Sequence, residues 1–92
     1  MNEHQIWQKV EDAAARAAGW ARERVNCTTL MVDLALMEDD RRTFQHELEA
    51  EFRAEGLTVQ ITEVEYWCTG TFSIAGVAAA IKDKLATAPA AT

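Results

Sequence analysis

An apolar stripe inside a highly charged segment constrains the fold of this chain most. Phe44, Leu48 and Phe52 follow one another at intervals of four residues, the spacing that places side chains on one face of an α-helix. Charged and polar residues occupy most of the other faces. A helix of this kind is stable mainly when its apolar face packs against another apolar surface. We therefore predict a helix that starts at Asp40 and that Gly56 ends.

The whole net charge of the chain lies around this predicted helix. The 92 residues carry nine Lys and Arg and fifteen Asp and Glu, a net charge of −6, while residues 38–65 hold nine of the acids and three of the bases. Nucleic-acid phosphates would repel such a surface, so nucleic-acid binding is not expected. The segment is either a solvated helix face, the usual reason for a charge run, or a docking surface for a basic protein.

Helical spacing also predicts a helix towards each end of the chain. The first covers residues 3–18 and ends at Gly19, because glycine readily takes the left-handed conformation that closes a helix. The last begins after Ser73, whose side chain can cap it. It continues through apolar positions at helical spacing, namely Ile74, Val77, Ala78, Ile81 and Leu85.

Two segments between these helices allow more than one structure. Residues 28–36 contain β-branched and apolar types without clean alternation, so they form either a buried strand or part of a long ordered loop. Residues 58–62 have the composition of a strand. However, Thr62 and Glu65 have the spacing of a capping box, which favours a short helix that Gly70 ends.

Together these elements favour an all-α fold, a four-helix bundle with a long first loop. The chain length fits one domain, which we place at residues 1–88. Pro89 stops the last helix, so residues 89–92 are expected to form a disordered tail. The alternative is a small α/β domain with strands near residues 28–36 and 57–66.

No residue pattern indicates catalysis, a cofactor or a metal site. Cys27 and Cys68 lack Cys-x-x-Cys spacing, which favours free thiols and leaves a single disulfide open. The acids at residues 38–40 suit the start of a helix, and neighbouring side chains there point in different directions rather than towards one cation. His4 and His46 are isolated, so both are expected to be exposed polar residues.

Nothing in the sequence indicates export or membrane insertion. The first twenty residues contain no basic start followed by an apolar run, and no segment has eighteen uninterrupted apolar residues. We therefore expect a cytoplasmic protein that does not bind membranes. Tyr66 and Trp67 are either core residues or an exposed anchor at a protein interface.

Several short phrases, in order, resemble the acyl carrier and peptidyl carrier protein family. Met31-Val32-Asp33-Leu34 is similar to the hydrophobic-x-Asp-Leu segment that precedes the family's prosthetic-group site, and Ser73-Ile74 is similar to the Thr-Val phrase that opens its last helix. The likeness covers about residues 6–85. It implies a small acidic four-helix bundle that docks on basic enzyme patches through its second helix.

The residue that carries the prosthetic group in this family is missing. There, the serine of a Gly-x-Asp-Ser-Leu phrase bears phosphopantetheine through a phosphodiester. The corresponding phrase here is Ala35-Leu36-Met37-Glu38-Asp39, so Glu38 stands at the serine position, and a carboxylate cannot accept that arm. Ser73 is the only serine in the chain and is expected to cap the last helix. The resemblance therefore implies a carrier-like domain without the cofactor.

The function expected from these observations is protein binding rather than catalysis. The domain would act as a component or regulator of a biosynthetic complex, and its partner would have a basic surface. The resemblance places the docking residues on the second helix. They are Glu38, Asp39, Asp40, Arg42, His46 and Glu49. Of these, Arg42 and His46 stand at positions that are apolar in the family. One alternative is a small acidic α/β inhibitor from a phage or defence system that mimics nucleic acid. A third possibility is a carrier that holds an apolar ligand without a covalent bond.

Overall fold

The computed structural model describes residues 2–87 and consists there of helices joined by loops. Its four α-helices are α1 (Glu3–Ala18), α2 (Glu38–Arg53), α3 (Val64–Thr69) and α4 (Ile74–Thr87). The long connection between α1 and α2 contains two 3₁₀ turns, Arg22–Arg24 and Met31–Leu34.

The all-α prediction is confirmed, and the α/β alternative is wrong. Neither predicted strand forms, and the described residues contain no sheet. The predicted disordered tail, residues 89–92, and the last residue of the predicted domain, residue 88, lie outside the described residues.

The helix α1 has the bounds predicted from the sequence because both of its ends are determined locally. The Asn2 side chain accepts a hydrogen bond from the Gln5 amide at 2.9 Å, and the Gln5 side chain accepts one from the Asn2 amide at 2.8 Å. This capping box satisfies two amide donors at the start of the helix. At the other end, Gly19 has φ +70°, the left-handed conformation that favours glycine.

The helix α2 begins two residues earlier than predicted. The Asp40 carboxylate accepts a hydrogen bond from the Met37 amide at 3.1 Å, which closes the first turn over Glu38. After Arg53 the chain turns through Gly56, whose φ is +78°, and the Leu57 amide donates back to the Phe52 carbonyl at 3.0 Å. Gly56 therefore ends the helix as predicted, through a turn that follows its last residue.

Residues 28–36 form an ordered loop rather than a strand. The Met31 amide donates to the Phe72 carbonyl, and the Ile74 amide donates to the Thr29 carbonyl, each at 2.8 Å. Only one isolated antiparallel bridge results, between Leu30 and Ser73. The loop is therefore held by the start of α4, and no second strand is available to make it part of a sheet.

Residues 64–69 form the short helix α3, one of the two structures that the sequence allowed. The predicted capping box of Thr62 and Glu65 is wrong. Glu63 precedes the helix instead, and its carboxylate accepts hydrogen bonds from the Thr62 hydroxyl at 2.7 Å and the Thr62 amide at 3.1 Å. Because Thr62 is occupied in this way, its hydroxyl does not cap α3.

The core lies between α1, α2 and α4, with α3 closing one side. The predicted stripe of α2, Phe44, Leu48 and Phe52, is completely buried. Trp67 joins this core, whereas the adjacent Tyr66 is 65% exposed. The pair that the sequence left open is therefore divided, with Trp67 as a core residue and Tyr66 on the surface.

Candidate protein-docking surface

The acids at the start of α2 are exposed but are not free of partners. The Arg42 guanidinium donates to the Glu38 carboxylate at 3.1 Å and lies 3.9 Å from the Asp39 carboxylate. The carboxylate of Asp40 is held by the Met37 amide. His46 is exposed one turn further along the helix. The structure therefore places five of the six predicted docking residues, at positions 38–40, 42 and 46, within the first nine residues of α2.

Glu49, the sixth predicted docking residue, is less accessible than most of the others because it already has a partner within the protein. Its side chain is partly buried and accepts a hydrogen bond from the Ile61 amide at 2.8 Å, while the Gln45 side chain approaches at 3.5 Å. The segment after α2 folds back across the helix and covers this position. Glu49 therefore holds a loop in place.

Acids of α2, and Glu55 in the turn after it, are paired with bases of α1. The Arg16 guanidinium donates to the Glu47 carboxylate at 3.1 Å, and the Lys9 ammonium lies 3.3 Å from Glu55 and 3.8 Å from Glu51. These bases lie some thirty or more residues away in the sequence, so spacing within α2 could not reveal the pairs. Much of the acidic charge on the second half of α2 is consequently balanced within the protein.

The exposed apolar side chains lie in the loop before α2, at its start and in α3. Among residues 2–87, four large apolar side chains are exposed: Leu30 by 36%, Val32 by 46%, Met37 by 70% and Tyr66 by 65%. All four belong to two segments, residues 30–42 and 64–72, which we call the α2–α3 corner. Sequence reasoning selected only Tyr66 of these four, because burial of the others depends on which way the first loop turns.

Two contacts join the two segments of the corner, Met31 to Phe72 and Arg41 to Glu65, and two more order the chain within a segment. The Met31 amide donates to the Phe72 carbonyl, and the rings of Tyr66 and Phe72 meet edge to face with centroids 5.1 Å apart. Arg41 donates to the Leu36 carbonyl at 2.8 Å and to the Glu65 carboxylate at 3.4 Å. The corner is therefore one connected surface.

The corner is also acidic. It contains five acids and two arginines, so it carries three negative charges, half of the net charge of the chain. Asp39 is 95% exposed, and Asp33 is exposed on the 3₁₀ turn. This combination of exposed apolar groups and acids is the strongest candidate site among the described residues.

A shallow groove of about 230 Å³ runs between α2 and the start of α3. Its lining is largely polar, and the buried Nε atom of Arg41 has no hydrogen-bond partner there. The volume is below the range typical of small-molecule sites, about 300–1,000 Å³. The lining residues are Glu38, Arg41, Arg42, Gln45, Thr62, Val64 and Glu65.

The described residues contain no cluster of metal-ligating side chains, and one of the two thiols is buried. No group of three or more His, Cys, Asp and Glu side chains among them could hold a metal ion. Cys27 is partly buried, and Cys68 is buried, which raises the pKa of its thiol to about 11. At neutral pH Cys68 is therefore a protonated thiol and a poor nucleophile. Between residues 2 and 87, no helix has both the length and the apolar character that a bilayer-spanning segment requires.

Comparison with models of protein families, with curated proteins and with solved structures finds no match to this chain. The assignment of a function therefore depends on the residues and geometry described above.

Proposed function

We propose that this chain is a carrier-protein-like domain that is not phosphopantetheinylated and that works by binding another protein, as a component or regulator of a biosynthetic complex. The observation that carries the proposal is the position of Glu38. It is the first residue of α2, directly after the loop that contains the Met31-Val32-Asp33-Leu34 phrase, where the resemblance places the serine that bears the cofactor.

The backbone at Ala35 supports this alignment. Ala35 has φ +52° and ψ +44°, the left-handed conformation that favours glycine. The aligned position in the family's Gly-x-Asp-Ser-Leu phrase is the glycine. A non-glycine residue in this conformation is uncommon, so its occurrence at that position agrees with the register that puts Glu38 in place of the serine.

The hydroxyl groups of Thr43 and Ser73 have structural roles. Thr43 donates from its hydroxyl to the Asp39 carbonyl at 3.1 Å inside α2. Ser73 accepts a hydrogen bond from the Gly76 amide at 3.1 Å and so caps α4. Neither stands at the first position of α2, which supports a domain without the pantetheine arm.

The partner of this domain is expected to be a protein with a basic surface. The net charge of −6 would steer a positively charged partner and would repel nucleic acid. The expected location is the cytoplasm, where the thiols of Cys27 and Cys68 would stay reduced.

Incubation with coenzyme A and a phosphopantetheinyl transferase, followed by mass spectrometry, tests the absence of the arm. The wild-type chain should keep its mass. The matched variant Glu38→Ser restores the hydroxyl and should gain one phosphopantetheine group if the alignment is right. A stoichiometric adduct on the wild-type chain would show that another residue accepts the arm and would refute the proposal.

A second candidate function is the non-covalent binding of an apolar ligand. An open groove of about 320 Å³ lies between α1, α4 and the segment after α2, and Ile6, Leu57 and Leu85 contribute to its lining. This volume falls at the lower end of the usual range for ligand sites. Native mass spectrometry of freshly purified protein tests it, because a bare chain mass would count against a resident ligand.

A further inference from the structure

We propose that the partner docks on the α2–α3 corner through Val32, Met37 and Tyr66, and that it presents an apolar cleft rimmed by lysine or arginine side chains. This inference rests on the proposed function and names its interface. The corner shares residues 38–42 with the docking face that the resemblance implies, and the inference adds three exposed apolar anchors that lie outside α2.

The distribution of exposed apolar groups supports this location. Single exposed apolar residues are common on protein surfaces. Here, however, Leu30, Val32, Met37 and Tyr66 all lie in the same corner, while the apolar stripe of α2 is completely buried. Methionine and tyrosine are enriched at the centres of protein interfaces. A partner that covered them would remove apolar surface from water at about 25 cal/mol for each Å².

The corner is held in a defined shape before any partner arrives. The ring of Tyr66 packs edge to face on Phe72, and Arg41 connects the Leu36 carbonyl to Glu65. Ordering of interface side chains usually opposes binding by about 0.5–1.5 kcal/mol for each one. Because Tyr66 already packs on Phe72, less conformational entropy is lost when Tyr66 binds a partner.

Charge indicates the chemistry of the partner. Asp33, Asp39 and Glu65 are exposed in the same two segments as the apolar groups. The two arginines of the corner are engaged with the Leu36 carbonyl and with Glu38 and Glu65. A partner that buries Met37 therefore meets three net negative charges, which basic rim residues would complement. A second copy of this chain would bring three more negative charges to the same place and is disfavoured.

The remaining face of α2 has fewer uncommitted acids. Glu47 and Glu51 contact Arg16 of α1, and Glu49 accepts the Ile61 amide. A basic partner that docked there would have to displace these contacts. The corner combines exposed apolar groups with exposed acids, although Glu38 and Asp39 contact Arg42 and Glu65 contacts Arg41.

Photo-crosslinking locates the contact. The probe p-benzoylphenylalanine is placed at Met37 in one variant and at Arg53 in a matched control, because Arg53 is also exposed and lies about 24 Å along α2 at 1.5 Å per residue. After irradiation in lysate of the source organism, the Met37 variant should form an adduct that the Arg53 variant does not form. An adduct with a second copy of the chain, or no adduct specific to Met37, would overturn the proposal.

Titration with the purified captured protein completes the test. Val32→Ser and Met37→Ala should each weaken binding at least about tenfold, as expected for residues at the centre of an interface, and His46→Ala should change it less than about twofold. Raising the salt concentration should weaken binding through the basic rim. Circular dichroism melts establish that each variant is folded.

The outcomes separate this inference from the function on which it rests. If the captured protein binds the wild-type chain and only His46→Ala weakens that binding, docking occurs on the α2 face. The inference about the corner is then wrong, and the proposed function stands. If no protein binds either surface, both proposals fail.

Discussion

Replacement of Glu49 by alanine should destabilise this protein, although the residue belongs to a run of charged side chains. Its carboxylate accepts a hydrogen bond from the Ile61 amide at 2.8 Å in a partly buried position, and the Ile61 side chain is completely buried. Hydrogen bonds to charged groups contribute about 1.5–3 kcal/mol. We therefore expect Glu49→Ala to lower the free energy of unfolding by about 2 kcal/mol, or the Tm by about 8–16 °C.

Glu47→Ala is the matched control. The substitution is the same, and the position lies two residues away on the same helix. The Glu47 carboxylate bonds to the exposed guanidinium of Arg16 at 3.1 Å, and surface ion pairs of this kind contribute at most about 1 kcal/mol. Urea denaturation of both variants, followed by circular dichroism, measures the difference that belongs to the Ile61 hydrogen bond.

The conservative variant Glu49→Gln separates the acceptor from its charge. Its amide oxygen can still accept from the Ile61 amide, so the loss should lie between those of wild type and Glu49→Ala. If Glu49→Ala and Glu47→Ala differ by less than about 0.5 kcal/mol, water replaces the carboxylate at no cost. The structural role assigned to Glu49 would then be refuted.

Three further predictions follow from single positions. Ala35→Gly should stabilise the protein by about 0.5 kcal/mol, because relief of the left-handed strain at φ +52° exceeds the entropy that glycine adds to the unfolded chain. The control Ala54→Gly, at φ −62°, should destabilise the protein. A loss of stability in both variants would contradict the strain at Ala35. Phe52→Ala removes a completely buried ring and should lower the free energy of unfolding by about 3–5 kcal/mol, so a tolerant variant in denaturant melts would contradict the core. Burial raises the pKa of the Cys68 thiol from 9.0 to about 11, so its thiolate fraction at pH 8, and hence its alkylation by iodoacetamide, should be about 100-fold lower in the folded chain than in urea. Equal rates in the two states would show that Cys68 is accessible and ionised.

The bounds of the helices could be predicted wherever the determining groups are close in the sequence. The start of α1 is determined by the reciprocal hydrogen bonds of Asn2 and Gln5, and its end by Gly19. Each of these groups acts within one turn of the helix. The burial of Phe44 and Phe52 follows from their spacing. The cap of α4 by Ser73 was predictable for the same reason, since its hydroxyl reaches an amide three residues away.

The candidate site could be predicted only in part. The sequence left Tyr66 open, as a core residue or an exposed anchor. Val32 and Met37 have the same apolar character as Met31 and Leu34, which are buried. No local period separates the two pairs, because the loop that contains them is held by hydrogen bonds of Thr29 and Met31 with Ile74 and Phe72. Exposure in this loop depends on contacts some forty residues apart.

Local physics therefore accounts for the helices, and long-range contacts account for the surface. The helical period and the caps depend on hydrogen bonds that span three or four residues, which the order of amino acids specifies directly. The packing of separate segments decides the contacts of each acid. It determines that Glu49 bonds to the Ile61 amide instead of water, and that Glu47 bonds to Arg16 instead of another protein. The same carboxylate has a different role in each case because packing determines its neighbours and its access to water.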